Sequence, residues 1–272
     1  MIDIPTPHEH RLPAGQAINL DTITTRGKDL HPDRDAAEAE FKTLRKELRE
    51  WQYKLYAEDK QKLLIVLQAM DAGGKDGTIR RVLQGVNPQG VQVTSFKVPS
   101  SKERAHDFLW RIHQAVPGNG MIGLFNRSHY EDVLVVRVDK LVPTAVWQAR
   151  YELINDFEKM LAQTGTRILK FYLHISQDEQ KERLQDRLDD PTKNWKFELG
   201  DLDKRAQWAD YRAAYNDVLT YCNTAVAPWY VIPADQKWYR NLAISRVLVH
   251  TLREMNPQTP PVTLDLSQIH IE

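Results

Sequence analysis

One cysteine, Cys222, in 272 residues excludes an internal disulfide framework and fits a reducing compartment. No apolar run approaches the roughly 20 residues that a membrane span needs, so no membrane partner is expected. The opening stretch, Met1 to Pro7, carries an acid and prolines rather than a basic then apolar segment. It does not read as a secretory leader, and a cytoplasmic chain is expected. Excess charge of either sign is missing as well, since 37 Lys and Arg stand against 37 Asp and Glu. A neutral total argues against a nucleic-acid coat and leaves room only for a local basic groove. With 42% hydrophobic and 27% charged residues, what remains is a globular protein of one large or two small domains.

Residues 1–32 show no sustained periodicity and read as an arm lying over a core or partly disordered. Between Asp33 and Asp59, Phe41, Leu44, Leu48, Trp51 and Leu55 recur at helical steps and place one apolar stripe on a charged rod. The stripe suits packing on the domain surface, with contact to a second copy as the alternative; a homo-oligomer is expected. Short apolar runs follow: Leu63–Leu67, Val91–Phe96, Met121–Phe125, Ile168–Leu173 and Trp229–Ile232. Helical stretches separate or follow them at about 75–85, 101–115, 144–163, 177–188, 203–222 and 237–254. Strand and helix in alternation predict a five-stranded, mainly parallel sheet between two helical layers, a three-layer α/β/α fold. The division expected is an arm and helix over 1–60, a core over 61–256 and an extended, partly ordered tail over 257–272.

The most informative segment is Gln68 to Thr78, which follows the first buried run and opens a helix. Gly73, Gly74 and Gly77 let backbone amides turn toward an anion, and the helix dipole points at the same spot. Lys75 adds a full charge for a phosphoryl group in transfer. The spacing departs from G-x-x-x-x-G-K-[ST] at two places: Ala69 replaces the first glycine and Asp76 the metal-binding hydroxyl. An acid inside an anion cradle would be repelled by phosphate unless a cation lies between them, which makes Asp71 the candidate ligand for Mg²⁺.

The third run ends in Asn126, Arg127, Ser128, His129, Tyr130 and Glu131, at a strand tip where open parallel sheets bind ligands. Arg127 can hold a phosphate through two parallel N–H bonds. Asn126 stands where many phosphoryl-transfer proteins carry an aspartate, and a structural role for His129 is as reasonable as a chemical one. Farther on, Arg183 and Arg187 share a helix face that breaks at Pro191 into a stretch holding Lys193, Trp195 and Lys196. This reads as a lid over about 183–204 that brings cations over a phosphate site. From Lys75 to Arg111 seven bases, Arg80 and Arg81 among them, face three acids. That excess suits a channel for an extended, phosphate-rich ligand. Ser100 and Glu103 have the spacing of a capping box.

These three motifs, Ala69–Gly77, Phe125–Tyr130 and Asp189–Lys196, resemble the polyphosphate kinase 2 family over about residues 35–255. The resemblance implies a P-loop kinase fold with a helical lid and transfer of phosphoryl groups between inorganic polyphosphate and nucleotides with Mg²⁺. It implies metal coordination by Asp71, phosphate binding by Lys75, clamping by Arg127 and a lid role for Arg187, with Arg183 the other candidate. Gly73, Gly74, Asp76, Gly77, Arg80, Arg81, Arg183 and Lys193 would then contact phosphates. Lys97, Val98, Pro99 and Asn126 would lie near the nucleotide. Having Asn126 and Glu131 where many members carry Asp and Asn is similar to the subgroup acting on both AMP and ADP. Two rivals stay open: an ATP-dependent nucleoside monophosphate kinase, and a non-catalytic binder of polyphosphate or another polyanion.

Overall fold

The computed structural model describes residues 7–264, 266 and 269–271. Five strands, β1 (Lys62–Ala69), β2 (Val91–Ser95), β3 (Ile122–Asn126), β4 (Thr166–His174) and β5 (Trp229–Pro233), form one sheet in the order β2-β3-β1-β4-β5. Every pairing is parallel. The apolar run at Leu63–Leu67 lies in β1, central in that order and buried on both faces, as a continuous hydrophobic strand should be.

Among the described residues ten α-helices accompany the sheet: α1 (Arg34–Glu58), α2 (Lys75–Val82), α3 (Ser101–Arg104), α4 (Trp110–His113), α5 (Val135–Val138), α6 (Thr144–Gln163), α7 (Gln177–Asp189), α8 (Gly200–Ala206), α9 (Trp208–Tyr221) and α10 (Lys237–Met255). One core cluster joins α6 and α9 to one face of the sheet; a second joins α1 and α10 to the other. The three-layer α/β/α reading therefore holds.

The stripe on α1 packs against α10: Leu44, Leu48 and Leu55 are buried, while Glu40 and Glu47 each take a two-pronged guanidinium from Arg246 and Arg253. That stripe is thus spent inside the chain and is not the face for a second copy.

The structure departs from the sequence reading in three places. The helix expected at 101–115 is two short ones, because Asp107 Oδ1 accepts the amide of Leu109 and starts the second turn afresh. The stretch at 203–222 is likewise split, at Gln207 between α8 and α9, and α2 ends at Val82. The arm is stitched down from Arg11 onward: Arg11 bridges Tyr230, Leu20 is fully buried, and His174 Nε2 lies 3.1 Å from the carbonyl oxygens of Leu20 and Ile23. Residues 1–6 of the arm, with 265, 267, 268 and 272 of the tail, lie outside the described residues; 257–264 have no regular structure.

Candidate active site

The phosphate loop grows out of β1. Ala72 adopts φ +59° and Gly74 φ +98°, so the backbone reverses between strand and helix within three residues. At Gly73 a Cβ would lie 2.5 Å from Ala69 Cβ, which leaves no room for any side chain. α2 begins at Lys75 with no side-chain cap, so its first amides stay open at the mouth of the loop. Lys75 Nζ folds back to donate to the Ala69 carbonyl at 3.2 Å. Burial, with the Arg127 charge beside it, holds this ammonium below its usual pKa, while Asp71, Glu131 and Asp76 work the other way.

β3 delivers the second segment alongside. Leu67 pairs with Asn126 in the sheet register, and the Arg127 amide donates to the Leu67 carbonyl. With φ +61°, Arg127 swings its guanidinium across to Asp71, Nη2 to Oδ1 at 3.2 Å. Burial works to lower the Arg127 pKa, but Glu131 and Asp71 outweigh it and the net direction is upward. Asn126 Nδ2 donates to Asp76 Oδ1 at 2.8 Å, tying the strand tip to the first turn of α2.

Beneath this tip lies a sealed polar network. Lys170 Nζ donates to Glu158 Oε2 and the Cys222 carbonyl, both at 2.6 Å, and to Tyr130 Oη at 2.8 Å. Glu158 Oε1 accepts from Tyr130 and from His129 Nε2. His129 is fully buried and anchors the tip from inside, which gives it the structural role.

Asp71, Arg127, Glu131, Lys204, Tyr211 and Tyr215 line a cavity of about 70 Å³ between loop and lid. Burial pushes the Glu131 carboxyl up; Arg127 and Lys75 pull against that, and Asp71 adds to the rise. Asp71 and Glu131 are the two carboxylates here, and two suffice for Mg²⁺, which keeps several waters and takes other oxygens from phosphates. No group of three or more possible metal ligands occurs among the described residues.

The segment expected as a lid meets the loop through α7. Gln180 Nε2 donates to the Asp71 carbonyl at 2.9 Å, and Arg183 Nη1 to the Ala72 carbonyl at 3.0 Å. Arg183 is 8% exposed, and its Nε and Nη2 donate to Glu179 and the carbonyls of Ala234 and Asp235. It braces the loop, and one N–H of its Nη1, beside Gly74, has no bonded partner among the described residues. Arg187 bonds to Asp201 and the Lys196 carbonyl, both at 3.1 Å, so it stands inside the lid and touches no loop residue. Lys193 pairs with Asp190 on the exposed surface. Arg80 and Arg81 are exposed in the last turn of α2 and have no bonded partner among the described residues.

On the other flank, Arg111 Nη1 donates to the Lys97 carbonyl and Arg104 Nη1 to the Pro99 carbonyl, each at 2.8 Å. They hold exposed Lys97 and Val98 at the rim of a cleft of about 430 Å³ that includes Ser95 and Phe96. The capping box forms as expected: Glu103 Oε2 accepts the Ser100 amide and Ser100 Oγ the Glu103 amide.

The spacing arguments missed Gln180, Lys204, Tyr211, Tyr215 and Arg240. Arg240 lies on α10, 3% exposed, with its guanidinium packed where a side chain on Gly74 would have to go. Its partners are remote in sequence, and an arginine among apolar helix residues carries no local mark of its target.

A glycine turn joining the first strand and the helix after it in an all-parallel sheet, with open amides, a half-buried lysine and an arginine crossing from a neighbouring strand tip, defines a phosphate-loop kinase fold. The polyphosphate kinase 2 family model matches residues 31–260, and the chain belongs to that family. It is similar to the AMP/ADP-polyphosphate phosphotransferase of Meiothermus ruber, 55% identical over 88% of this chain and 90% of that one. The ADP-polyphosphate phosphotransferase of Rhodopseudomonas palustris is 42% identical over 94% and 92%. The crystal structure of polyphosphate kinase 2 from Arthrobacter aurescens TC1 superposes with a TM-score of 0.92 at 41% identity, over 97% of this chain and 95% of that one.

Proposed function

We propose that this chain moves the terminal phosphoryl group of inorganic polyphosphate onto AMP, giving ADP, and onto ADP, giving ATP. The observation that carries the reading is the meeting of Asp71 and Arg127 over the Lys75 loop, in a chain of this family. The nucleophile is a terminal phosphate oxygen of the nucleotide, already largely anionic at neutral pH with a second pKa of about 6. No general base is needed. As its bond to the transferring phosphorus forms, the bridging P–O bond to polyphosphate breaks and the donor leaves one unit shorter.

The protein's part is placement and charge. Lys75, the α2 amides and Arg127 hold the phosphates in line, and the cleft at Ser95–Val98 takes the acceptor nucleotide. Arg187 enters the site when the lid closes on both substrates. Asp71 and Glu131 would hold Mg²⁺, which when bound neutralises charge on the transferring group. The reading includes a cytoplasmic location and a homo-oligomer. For the latter, exposed Val146, Leu153 and Met160 recur every seven residues along α6.

Purified protein with Mg²⁺, polyphosphate and AMP should yield ADP and then ATP. An absence of nucleotide product would sink the proposal. Activity with ATP but not polyphosphate as donor would favour the monophosphate-kinase rival, against which Ala69 and Asp76 in the loop already count.

A further inference from the structure

Behind the phosphate loop, charge does not balance. Arg183 and Arg240 lie close together, and Glu179 is the acid beside them. Arg183 engages that carboxylate through Nε at 2.7 Å. Arg240 has no carboxylate partner among the described residues: its Nε and Nη2 donate to the amide oxygen of Asn241, at 3.2 and 2.9 Å. The remaining nitrogen, Nη1, has no hydrogen bond among the described residues and presses on Gly74, while Nη2 would be 3.7 Å from a Cβ on Gly77.

Burial of a guanidinium without a carboxylate partner is costly, since little water and no counter-ion reach the charge. Burial, with the Arg183 charge beside it, draws the Arg240 pKa down to about 9. A neutral side chain of similar length would fill this space without that cost. Because Gly74 and Gly77 bear no side chains, little but backbone separates the guanidinium from the mouth of the loop, where an anion would sit.

We propose that Arg240 is a phosphate-compensating residue: its charge is left unpaired in the free protein so that a polyphosphate segment seated on loop 71–77 supplies the missing negative charge. The inference rests on the polyphosphate reading above and adds a residue to it. It assigns Arg240 to tight donor binding rather than to fold stability.

The test is thermal melting of the full chain, with and without long-chain polyphosphate, for wild type, Arg240→Met and Arg240→Lys. Without polyanion, Arg240→Met should melt at or above wild type, because a buried unpaired charge has been removed. Its affinity for polyphosphate should be about tenfold weaker, seen as a smaller polyphosphate-induced shift in Tm. Arg240→Lys should keep most of the shift. If Arg240→Met melts lower than wild type yet keeps the full shift, Arg240 is a structural brace and the inference falls alone. If wild type itself shows no shift, the polyphosphate reading falls and the inference with it. Should Arg240→Met not fold, Arg240→Gln takes its place, with KM for polyphosphate expected to rise about tenfold at little-changed kcat; an unchanged KM would overturn the inference.

Discussion

Arg127 Nη2 stands 3.2 Å from Asp71 Oδ1, across the gap between the turns that follow β3 and β1. The pair is half-exposed, so it adds little to stability. Its value lies in aim, since the carboxylate holds the guanidinium over the open amides of α2 before any ligand arrives. Arg127→Ala should lower kcat/KM by on the order of 10²–10³ with a Tm close to wild type. Arg127→Lys should not rescue it, because an ammonium lacks the planar fork. Lys75→Ala should cost at least as much, its Nζ holding only the Ala69 carbonyl among the described residues. Steady-state kinetics beside melting curves decide both, and wild-type turnover in either variant would remove that residue from the chemistry.

Gly74 is needed twice over. Its φ of +98° disfavours any L side chain, and a Cβ would overlap the Arg240 guanidinium. Gly74→Ala should therefore destabilise the loop by roughly 1–3 kcal/mol and abolish measurable turnover. Gly118→Ala is the control, because nothing lies within 4 Å of a Cβ there. Equal melting and activity for the two variants would contradict the packing described at the loop.

The parallel core could be read from the sequence because its signals are local. The run Leu63–Leu67 has no polar face, so a strand covered on both sides was the only economical reading, and each of the five runs lies on its strand to within about two residues at either end. The capping box at Ser100 and Glu103 is equally local and formed as expected. What spacing could not give is the long-range partner. Arg187, given a lid role by the family resemblance, bonds to Asp201, fourteen positions on. Arg183 has the same spacing and turns its Nη2 to carbonyls at the end of β5. Arg240 escaped notice because its target, Gly74, belongs to another layer. Spacing places a charge on a face; what it meets there is set by topology.

Glu131 lies in the cavity with Asp71, and burial raises its carboxyl pKa above the ordinary value. An unfolded glutamate titrates near 4.3, so between that and the higher folded value the unfolded chain gives up its proton more readily. Ionised Glu131 thus subtracts stability at neutral pH. Glu131→Gln should melt above wild type at pH 7, with the gain fading below about pH 4, where the carboxyl is protonated in both states. Activity should fall by on the order of 10² if the carboxylate serves the phosphates. A lower melting temperature at pH 7 would show that Glu131 braces the site instead.

The arm gives the opposite pH dependence. His174 is 2% exposed, with Nε2 shared between the carbonyls of Leu20 and Ile23. Burial, with the Arg212 charge nearby, lowers its pKa to about 4, although both carbonyl bonds and Asp235 oppose the shift. An unfolded histidine takes its proton near 6.5, so on acidification the unfolded chain binds a proton before the folded one can. Stability from this site is complete above about pH 6.5, falls as the pH drops toward 4, and loses roughly 3 kcal/mol in all. His10, held at about 4 by burial and the Arg246 charge, adds a second loss in the same window. Denaturant melts between pH 7 and pH 4 should show this slope. His174→Gln keeps a donor for the carbonyls and cannot titrate, so it should flatten the slope by the His174 share. Hydrogen exchange should then report that residues 11–23 loosen first in acid in wild type but not in the variant. An acid slope that His174→Gln leaves unchanged would mean that the arm is held by its apolar anchor, Leu20, and that histidine protonation does not release it.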